Sequence, residues 1–266
     1  MCKTCGCDNN NKHEHEHEHP SHSVSWPERV DMHTHILQPE ELVAKSVRQQ
    51  FANHNVMVVN LMSSPGAGKT QLLENTIDAL KDALTIAVIE GDLDTENDAQ
   101  RIRSHGIQAE QITTGTACHL DAVMIESVLP RFSLDNIDIL FIENVGNLIC
   151  PACFDLGQDA NVVLLSVPEG DDKPEKYPVM FRAADLMLIT KTDYLPVATA
   201  FSISRAKHSF RQIGGRAPVL ELAAPLDWGM SAWIEWLLSL HANKCSVSLV
   251  NSASIITDTS HGTSER

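Results

Sequence analysis

Residues 56–71 read Val-Met-Val-Val-Asn-Leu-Met-Ser-Ser-Pro-Gly-Ala-Gly-Lys-Thr-Gln, and this stretch decides the fold. Val56 to Met62 is an apolar run of strand length, which suits a strand buried on both faces. A helix is expected to start near Lys69. Between the two, glycines let backbone N–H groups converge on phosphate oxygens, Lys69 can reach β- and γ-phosphates, and the Thr70 hydroxyl can bind Mg²⁺. The residues expected around the phosphates are Ser64, Gly66, Ala67, Gly68, Lys69, Thr70 and Gln71. The general form G-x-x-x-x-G-K-[ST] begins with Gly, where this chain has Ser63. The flanking strand and helix support the nucleotide reading over an incidental Gly-rich turn.

Outward from the loop, short apolar runs recur at Ile86-Glu90, Ile137-Glu143, Val162-Val167, Leu186-Thr190 and Val219-Leu222. Helical patterns lie between most of them. This alternation predicts an α/β domain over residues 55–242, with a mostly parallel sheet covered by helices on both faces. Upstream, a leading helix is expected within 28–54, with Pro39 in its first turn. The last helix is expected from Met230 to His241, and residues 243–266, rich in Ser and Thr, as a loosely ordered end. Residues 1–27 lack hydrophobic periodicity and read as a disordered or metal-ordered tail.

Two runs end in carboxylates. Glu143 closes Asp138-Ile-Leu-Phe-Ile-Glu143, the position from which a nucleotide-binding protein holds magnesium or its water shell. Glu143-Asn144-Val145-Gly146 looks like the second switch of a GTPase. Asp92 and Asp94, just past the Ile86-Glu90 run, could approach a γ-phosphate; helix capping with Thr95 and Asp98 is the competing reading. Lys69, Asp92 and Glu143 are therefore the expected catalytic groups, with Thr70, Asp92 and Glu143 around magnesium. Leu188-Ile-Thr-Lys-Thr-Asp193 resembles the guanine-reading Asn-Lys-x-Asp motif, with Thr190 where Asn is usual. Lys191 and Asp193 are the expected base contacts. Asp193 can accept from guanine N1–H and the exocyclic amine, whereas adenine would leave it unpaired at a cost of about 1–3 kcal/mol or more.

The 266 residues carry 35 acidic against 20 basic side chains, a formal charge of -15, which argues against a nucleic-acid or anionic-membrane surface. No apolar run approaches the roughly 20 residues of a membrane span. The polar start lacks the basic-then-apolar pattern of a secretory signal, so the cytoplasm is the expected compartment. Seven cysteines there read as thiols for metal or redox work. Cys2, Cys5 and Cys7, beside the chain's α-amino group, can wrap one thiophilic cation; square-planar Ni²⁺ and Zn²⁺ both accept such donors. His13, His15, His17, His19 and His22 alternate with glutamates and suit metal buffering, or form a solvated segment. Further on, Cys118 and His119 are adjacent, and Cys150 follows Gly146 by four residues. A cation on Cys118, His119 and Cys150 would be tied to a segment that moves when a γ-phosphate is lost. Cys153 makes a C-x-x-C with Cys150, so a redox pair or alternate ligand is the further reading.

Taken together, MCKTCGC, SSPGAGKT, GDLDTENDAQRI, GTACHLDA, FIENVGNLICPACFDLG, PEGDDKPEKYP and ITKTDYLP closely resemble the hydrogenase nickel-incorporation GTPases of the HypB type, from the terminus to about residue 196. The resemblance implies a P-loop G domain of the SIMIBI type and a GTP-hydrolysing nickel chaperone for the [NiFe]-hydrogenase large subunit. It also implies a small zinc/nickel-binding partner and a GTP-favoured homodimer. Cys2, Cys5 and Cys7 would match a tight terminal nickel site, and Cys118, His119 and Cys150 a weaker site at the dimer interface that also takes zinc. The chain departs from the family at Thr190 and after Glu221, where Ala replaces a Ser/Thr-Gly-rich base loop. No water-positioning Gln or arginine finger is evident, so slow turnover is expected. The rival readings are a urease-accessory GTPase, against which MCKTCGC argues, and a nickel store with a vestigial nucleotide site.

Overall fold

The computed structural model describes residues 32–93 and 96–258, with side chains described from Pro39 to Ser246. In chain order the elements are α1 (Met32–Asn53), β1 (Met57–Ser63), α2 (Lys69–Leu80), β2 (Ile86–Asp92), α3 (Asn97–Ser104), β3 (Gln108–Thr113) and α4 (Ala122–Val128). They continue as β4 (Ile139–Glu143), β5 (Ala160–Ser166), α5 (Lys173–Lys176), α6 (Pro178–Arg182), β6 (Leu186–Thr190), α7 (Ile203–Gln212), β7 (Val219–Glu221) and α8 (Met230–Asp258).

The seven strands form one sheet in the order β3-β2-β4-β1-β5-β6-β7, and every pairing is parallel. β1 is central, and its side chains alternate between two apolar layers, as a strand's period of two requires. Met57, Val59 and Leu61 pack with Leu72, Leu73 and Ile77 of α2 and Trp233 and Leu237 of α8. Val58 faces the opposite layer, with Val47 and Phe51 of α1 and Ile125 of α4. Met62 packs with Met180 and Phe181 of α6 and with Ala206 and Phe210 of α7. Helices therefore cover both faces, which is why β1 reads as a continuous apolar run interrupted only by Asn60.

Three elements differ from the sequence reading. β3 has no apolar run because it is an edge strand, paired only to β2 and burying only Ala109 and Ile112. Pro39 lies inside α1 rather than in its first turn; lacking an N–H, it leaves the carbonyl of residue 35 without its helical donor. Finally, α8 does not stop at His241 but runs to Asp258, so the loosely ordered end expected from residue 243 is helical over most of its length. Ser and Thr lower helix propensity without ending a helix, and neither Gly nor Pro occurs between 242 and 258. The extension is also held in place: Lys244 donates to both Asp159 oxygens, at 2.7 and 2.6 Å.

Inside the α2–α8 layer, Trp233 Nε1 donates to Thr76 Oγ1 at 2.8 Å, and that hydroxyl donates to the Leu72 carbonyl at 2.6 Å. A buried indole N–H needs such a partner. Trp233→Phe is expected to lower unfolding free energy by about 1–3 kcal/mol in denaturant melts. Thr76→Val should then cost less in the Phe background than in the parent protein, because the two changes remove one shared bond.

Candidate functional site

β1 delivers the chain to the phosphate loop at its carboxyl end, and α2 leaves it at Lys69. Gly68 takes φ +98°, where a side chain would be strained, and turns the backbone N–H groups into the concavity. Lys69 is 8% exposed; its Nζ donates to Ser63 Oγ at 3.2 Å and lies 3.8 Å from Glu143 Oε1. Ser63, the position that departs from the general loop pattern, thus supplies an anchor for the lysine. Thr70 Oγ1 donates to Glu143 Oε1 at 2.9 Å.

Glu143 has a neighbour the sequence reading did not select. Parallel register sets Glu90 of β2 directly beside Glu143 of β4, and Asp98 of α3 brings a carboxylate oxygen to within 4.8 Å of both. Burial first, and the Glu143 charge second, push Glu90 up to about 11, so it keeps its proton and offers it to Glu143. Burial also raises Glu143, opposed chiefly by Lys69. Beyond that shared proton, Oε2 of each glutamate is buried without a donor. An all-oxygen set with orphaned buried atoms beside the Thr70 hydroxyl fits a hard divalent cation such as Mg²⁺. Asp92, the expected ligand, stands half-buried at the end of β2, where its Oδ1 accepts from the Leu93 N–H at 2.7 Å. Asp94 lies outside the described residues. The signal that could have found Glu90 is pairing: two apolar runs that each close on a Glu become neighbours only once strand order and register are known.

A cavity of about 610 Å³ opens above these groups. Its phosphate end has Lys69, Thr70, Asp98 and Glu143, and its far end has Lys191, Asp193, Leu222 and Pro225; Gly66, Gly68 and Gln71 also line it. Ser64 and Ala67 complete the loop. Asp193 Oδ1 is buried without a partner, as an acceptor waiting for a ligand's donor would be. Thr190, at the Asn position of the base motif, donates from Oγ1 to the Ala67 carbonyl at 2.7 Å and so ties the base motif to the phosphate loop. Arg101 also reaches the cavity wall, paired with Glu74 at 2.8 and 3.1 Å and with Asp98 at 3.1 Å. Among the described residues it is the arginine lining that cavity; it lies within GDLDTENDAQRI, but no role was read for it because its pairing to Glu74 spans 27 residues.

The three internal metal candidates come together. Cys118 Sγ lies 3.1 Å from Cys150 Sγ and 4.0 Å from His119 Nδ1, and the three ligand atoms lie within 4.8 Å of one another. All are half-buried. Sharing of a thiol proton with Cys118 is the first cause that raises Cys150, with burial second. The His119 ring stacks on Phe154 with centroids 3.8 Å apart, which fixes its plane. Two thiols and an imidazole suit Ni²⁺ or Zn²⁺ and leave a further coordination position open. Cys153 stays exposed, with its Sγ directed at the Ile149 carbonyl, outside this group. Cys2, Cys5, Cys7 and the histidines of the tail lie outside the described residues. The segment from Glu143 to Cys150 is pressed on the phosphate loop: a Cβ at Gly146 would come within 2.8 Å of Pro65 Cα.

A parallel sheet feeding a phosphate loop and a carboxylate cluster at the loop's hydroxyl define a P-loop nucleotide-binding protein; Cys150, seven residues past Glu143, joins Cys118 and His119 in a group able to hold a soft metal ion. Residues 57–221 match the family described as CobW/HypB/UreG, nucleotide-binding domain. The chain belongs to this family and, within it, to the HypB proteins. It is 47% identical over 208 residues to the hydrogenase maturation factor HypB of Escherichia coli (strain K12), covering 78% of this chain and 71% of that one. It is also 47% identical over 211 residues to the HypB of Rhizobium leguminosarum bv. viciae, covering 78% and 69%. Among solved structures, HypB from Helicobacter pylori in complex with nickel superposes with a TM-score of 0.73 at 41% identity, over 77% of this chain and 96% of that chain. HypB from Archaeoglobus fulgidus gives 0.72 at 39%, over 76% and 98%.

The buried carboxyl pair has a pH signature. Glu90 is raised from 4.5 to about 11, so the folded state keeps a proton that the unfolded chain releases. The resulting stability is complete below the unfolded value and is lost as pH rises toward the folded one. Glu90→Gln, neutral at every pH, is expected to resist urea better than the parent without added metal. Its advantage should widen between about pH 5 and pH 8; an advantage that stays constant or shrinks over that range would contradict the assignment.

Proposed function

We propose that this protein is a slow GTPase that carries nickel for the maturation of a [NiFe]-hydrogenase, with nickel binding coupled to the nucleotide state. The observation that carries the reading is the continuity from Thr70 to Glu143 and along seven residues to Cys150, which closes a ligand set with Cys118 and His119. The Helicobacter pylori relative in complex with nickel supports the choice of cargo, and the hydrogenase maturation role of the Escherichia coli relative supports the client.

In this reading the loop from Ser64 to Gln71 cradles the phosphates of GTP, and Lys69 leaves Ser63 to bridge the β- and γ-phosphates. Thr70 and Glu143 hold Mg²⁺, with Asp92 or the Glu90 and Asp98 oxygens completing the set. Magnesium bound there supplies positive charge against the phosphate oxygens. Asp193 accepts from guanine N1–H and its amine, and Lys191 covers the base plane. Loss of the γ-phosphate frees Lys69 to return toward Ser63 and Glu143 and shifts the segment leading to Cys150. Moving one ligand of three, the Cys150 thiolate, alters the fit of the set to nickel, or to zinc when zinc occupies it.

The remaining parts follow the family. Cys2, Cys5 and Cys7 form the tight terminal nickel site, and GTP favours a homodimer. A small zinc/nickel-binding maturation protein and the hydrogenase large subunit are the partners, and the work is done in the cytoplasm. Among the described residues no helix is long and apolar enough to cross a membrane. Arg101 is held by Glu74 and Asp98, so turnover without a partner is expected below about 1 s⁻¹.

The test is a nickel titration of the full chain in Mg²⁺-GDP and in a non-hydrolysable Mg²⁺-GTP analogue. It is read from the thiolate-to-nickel absorption that remains after subtracting a Cys118→Ala variant, which isolates the internal site. The expected result is an affinity that differs between the two nucleotides by at least about fivefold. Equal affinities would overturn the coupling, and unaided turnover well above about 1 s⁻¹ would overturn the slow-GTPase reading.

A further inference from the structure

Three carboxamides run through the interior of an otherwise apolar sheet. Asn60 of β1 is 0% exposed and Asn144, just past β4, is 1% exposed. Asn144 Nδ2 donates to Asn60 Oδ1 at 3.2 Å. Asn60 Nδ2 donates in turn to Asn161 Oδ1 of β5 at 3.0 Å, which also receives Gln158 Nε2 at 3.1 Å. At the other end, Asn144 Oδ1 accepts from two backbone groups, the Val145 N–H at 3.0 Å and the Leu120 N–H at 3.2 Å. Burying amides in this way is costly unless every group is bonded, and apolar residues of similar shape would hold the layer together equally well. No buried amide atom of Asn60 or Asn144 lacks a partner, and the Asn144 end leaves the sheet at the residue that follows Cys118 and His119.

Leu120 is itself fixed from the other side. It is fully buried on Gly91, where a Cβ would come within 2.8 Å of its side chain. Gly91 lies between Glu90 and Asp92. Cys118 and His119 are thus seated, through Leu120, on the ends of β2 and β4, the two strands that carry the carboxylate pair. A second strap runs the same way: Asn147 Nδ2 donates to the Cys118 carbonyl at 3.2 Å. Cys150, the third ligand, comes from the segment that starts at Asn144.

We propose that Asn144 is the positioning residue that makes the Cys118–His119–Cys150 cluster respond to the nucleotide. Its carboxamide binds the strand end that carries Glu143 to the backbone that carries two of the three ligands. When Glu143 shifts at the phosphate end, Asn144 moves with it by covalent connection and pulls the Leu120 backbone while its side chain stays seated on Gly91, so Cys118 and His119 turn relative to Cys150 and the geometry of the set changes. This inference rests on the reading of the cluster as a nucleotide-gated metal site. Continuity of contacts becomes coupling only when a difference in binding is measured across it.

The experiment repeats the subtracted nickel titration on the full chain with Asn144→Ala and Asn144→Asp, in Mg²⁺-GDP and in the Mg²⁺-GTP analogue. In the parent, coupling of ordinary size is a ratio of about 5- to 150-fold between the two states. The Ala variant, with all three metal ligands and the Lys69–Thr70–Glu143 group intact, is expected to bind nickel and both nucleotides. Its ratio should fall to within about twofold. The Asp variant keeps an acceptor for the Leu120 and Val145 N–H groups but loses the donor to Asn60, and is expected to retain more of the ratio than the Ala variant. A purely structural role would lower melting temperature, or nickel affinity in both states alike, and leave the ratio standing; that outcome overturns the proposal. Should the Ala variant fail to fold, Asn60→Ala, which removes the group that orients the Asn144 amide, is expected to reduce the ratio, and an unchanged ratio there overturns it. A parent ratio of one defeats the gated-site reading and this inference with it, whereas a parent ratio that survives Asn144→Ala defeats this inference alone.

Discussion

Glu143 ends β4 with 3% of its surface exposed, the Thr70 hydroxyl on one oxygen and the Lys69 ammonium 3.8 Å away. A carboxylate in such a place is tolerated only if charge and hydrogen bonds replace the water it has lost. Both are supplied by the first two residues of α2, and α2 can start there only because the phosphate loop turns at Gly68. The strand end, the loop and the helix are therefore one unit. Glu90, alongside in register, adapts to this constraint by keeping its proton. The segment leaving Glu143 inherits a fixed starting point, from which Asn144 reaches the Leu120 backbone and Cys150 comes beside Cys118.

Much of this was legible in the sequence because it is written locally. The run from Val56 to Gln71 contains its own strand, loop and helix start, and the apolar runs at 137–143 and 186–190 carry their functional residues at their ends. Cys118, His119 and Cys150 were selected for their chemistry, and the fold places their ligand atoms within 4.8 Å. What stayed hidden depends on pairing between distant residues. Glu90 looked like an ordinary strand end until β2 lay beside β4. Asp98 read only as a helix-capping partner, and Arg101, within GDLDTENDAQRI, shows its place at the cavity only through its pairing with Glu74. β3 buries too little to show a pattern. The continuation of α8 past His241 was concealed by its Ser and Thr content, while the Lys244–Asp159 contact that secures it spans 85 residues.

Thr190 illustrates how a departure from a familiar motif is absorbed by geometry. The sequence alone suggests a weaker base site, since Asn is usual there. The hydroxyl instead donates to the Ala67 carbonyl, so the base-reading segment is fastened to the phosphate loop by one short bond. Backbone bonds from Leu222 to Ile189 and from Thr192 to Leu222 set the far wall beside it. The two ends of the cavity are thereby held at a fixed separation. A rigid span of this kind favours ligands whose base and phosphates lie the right distance apart.

The close approach of Gly146 to Pro65 sets what residue can stand there. Any side chain at residue 146 would put its Cβ 2.8 Å from the Pro65 backbone and push the segment that carries Asn147 and Cys150 off the phosphate loop. Only glycine permits this contact. The missing side chain thus fixes how near the cysteine-bearing segment can lie to the nucleotide loop.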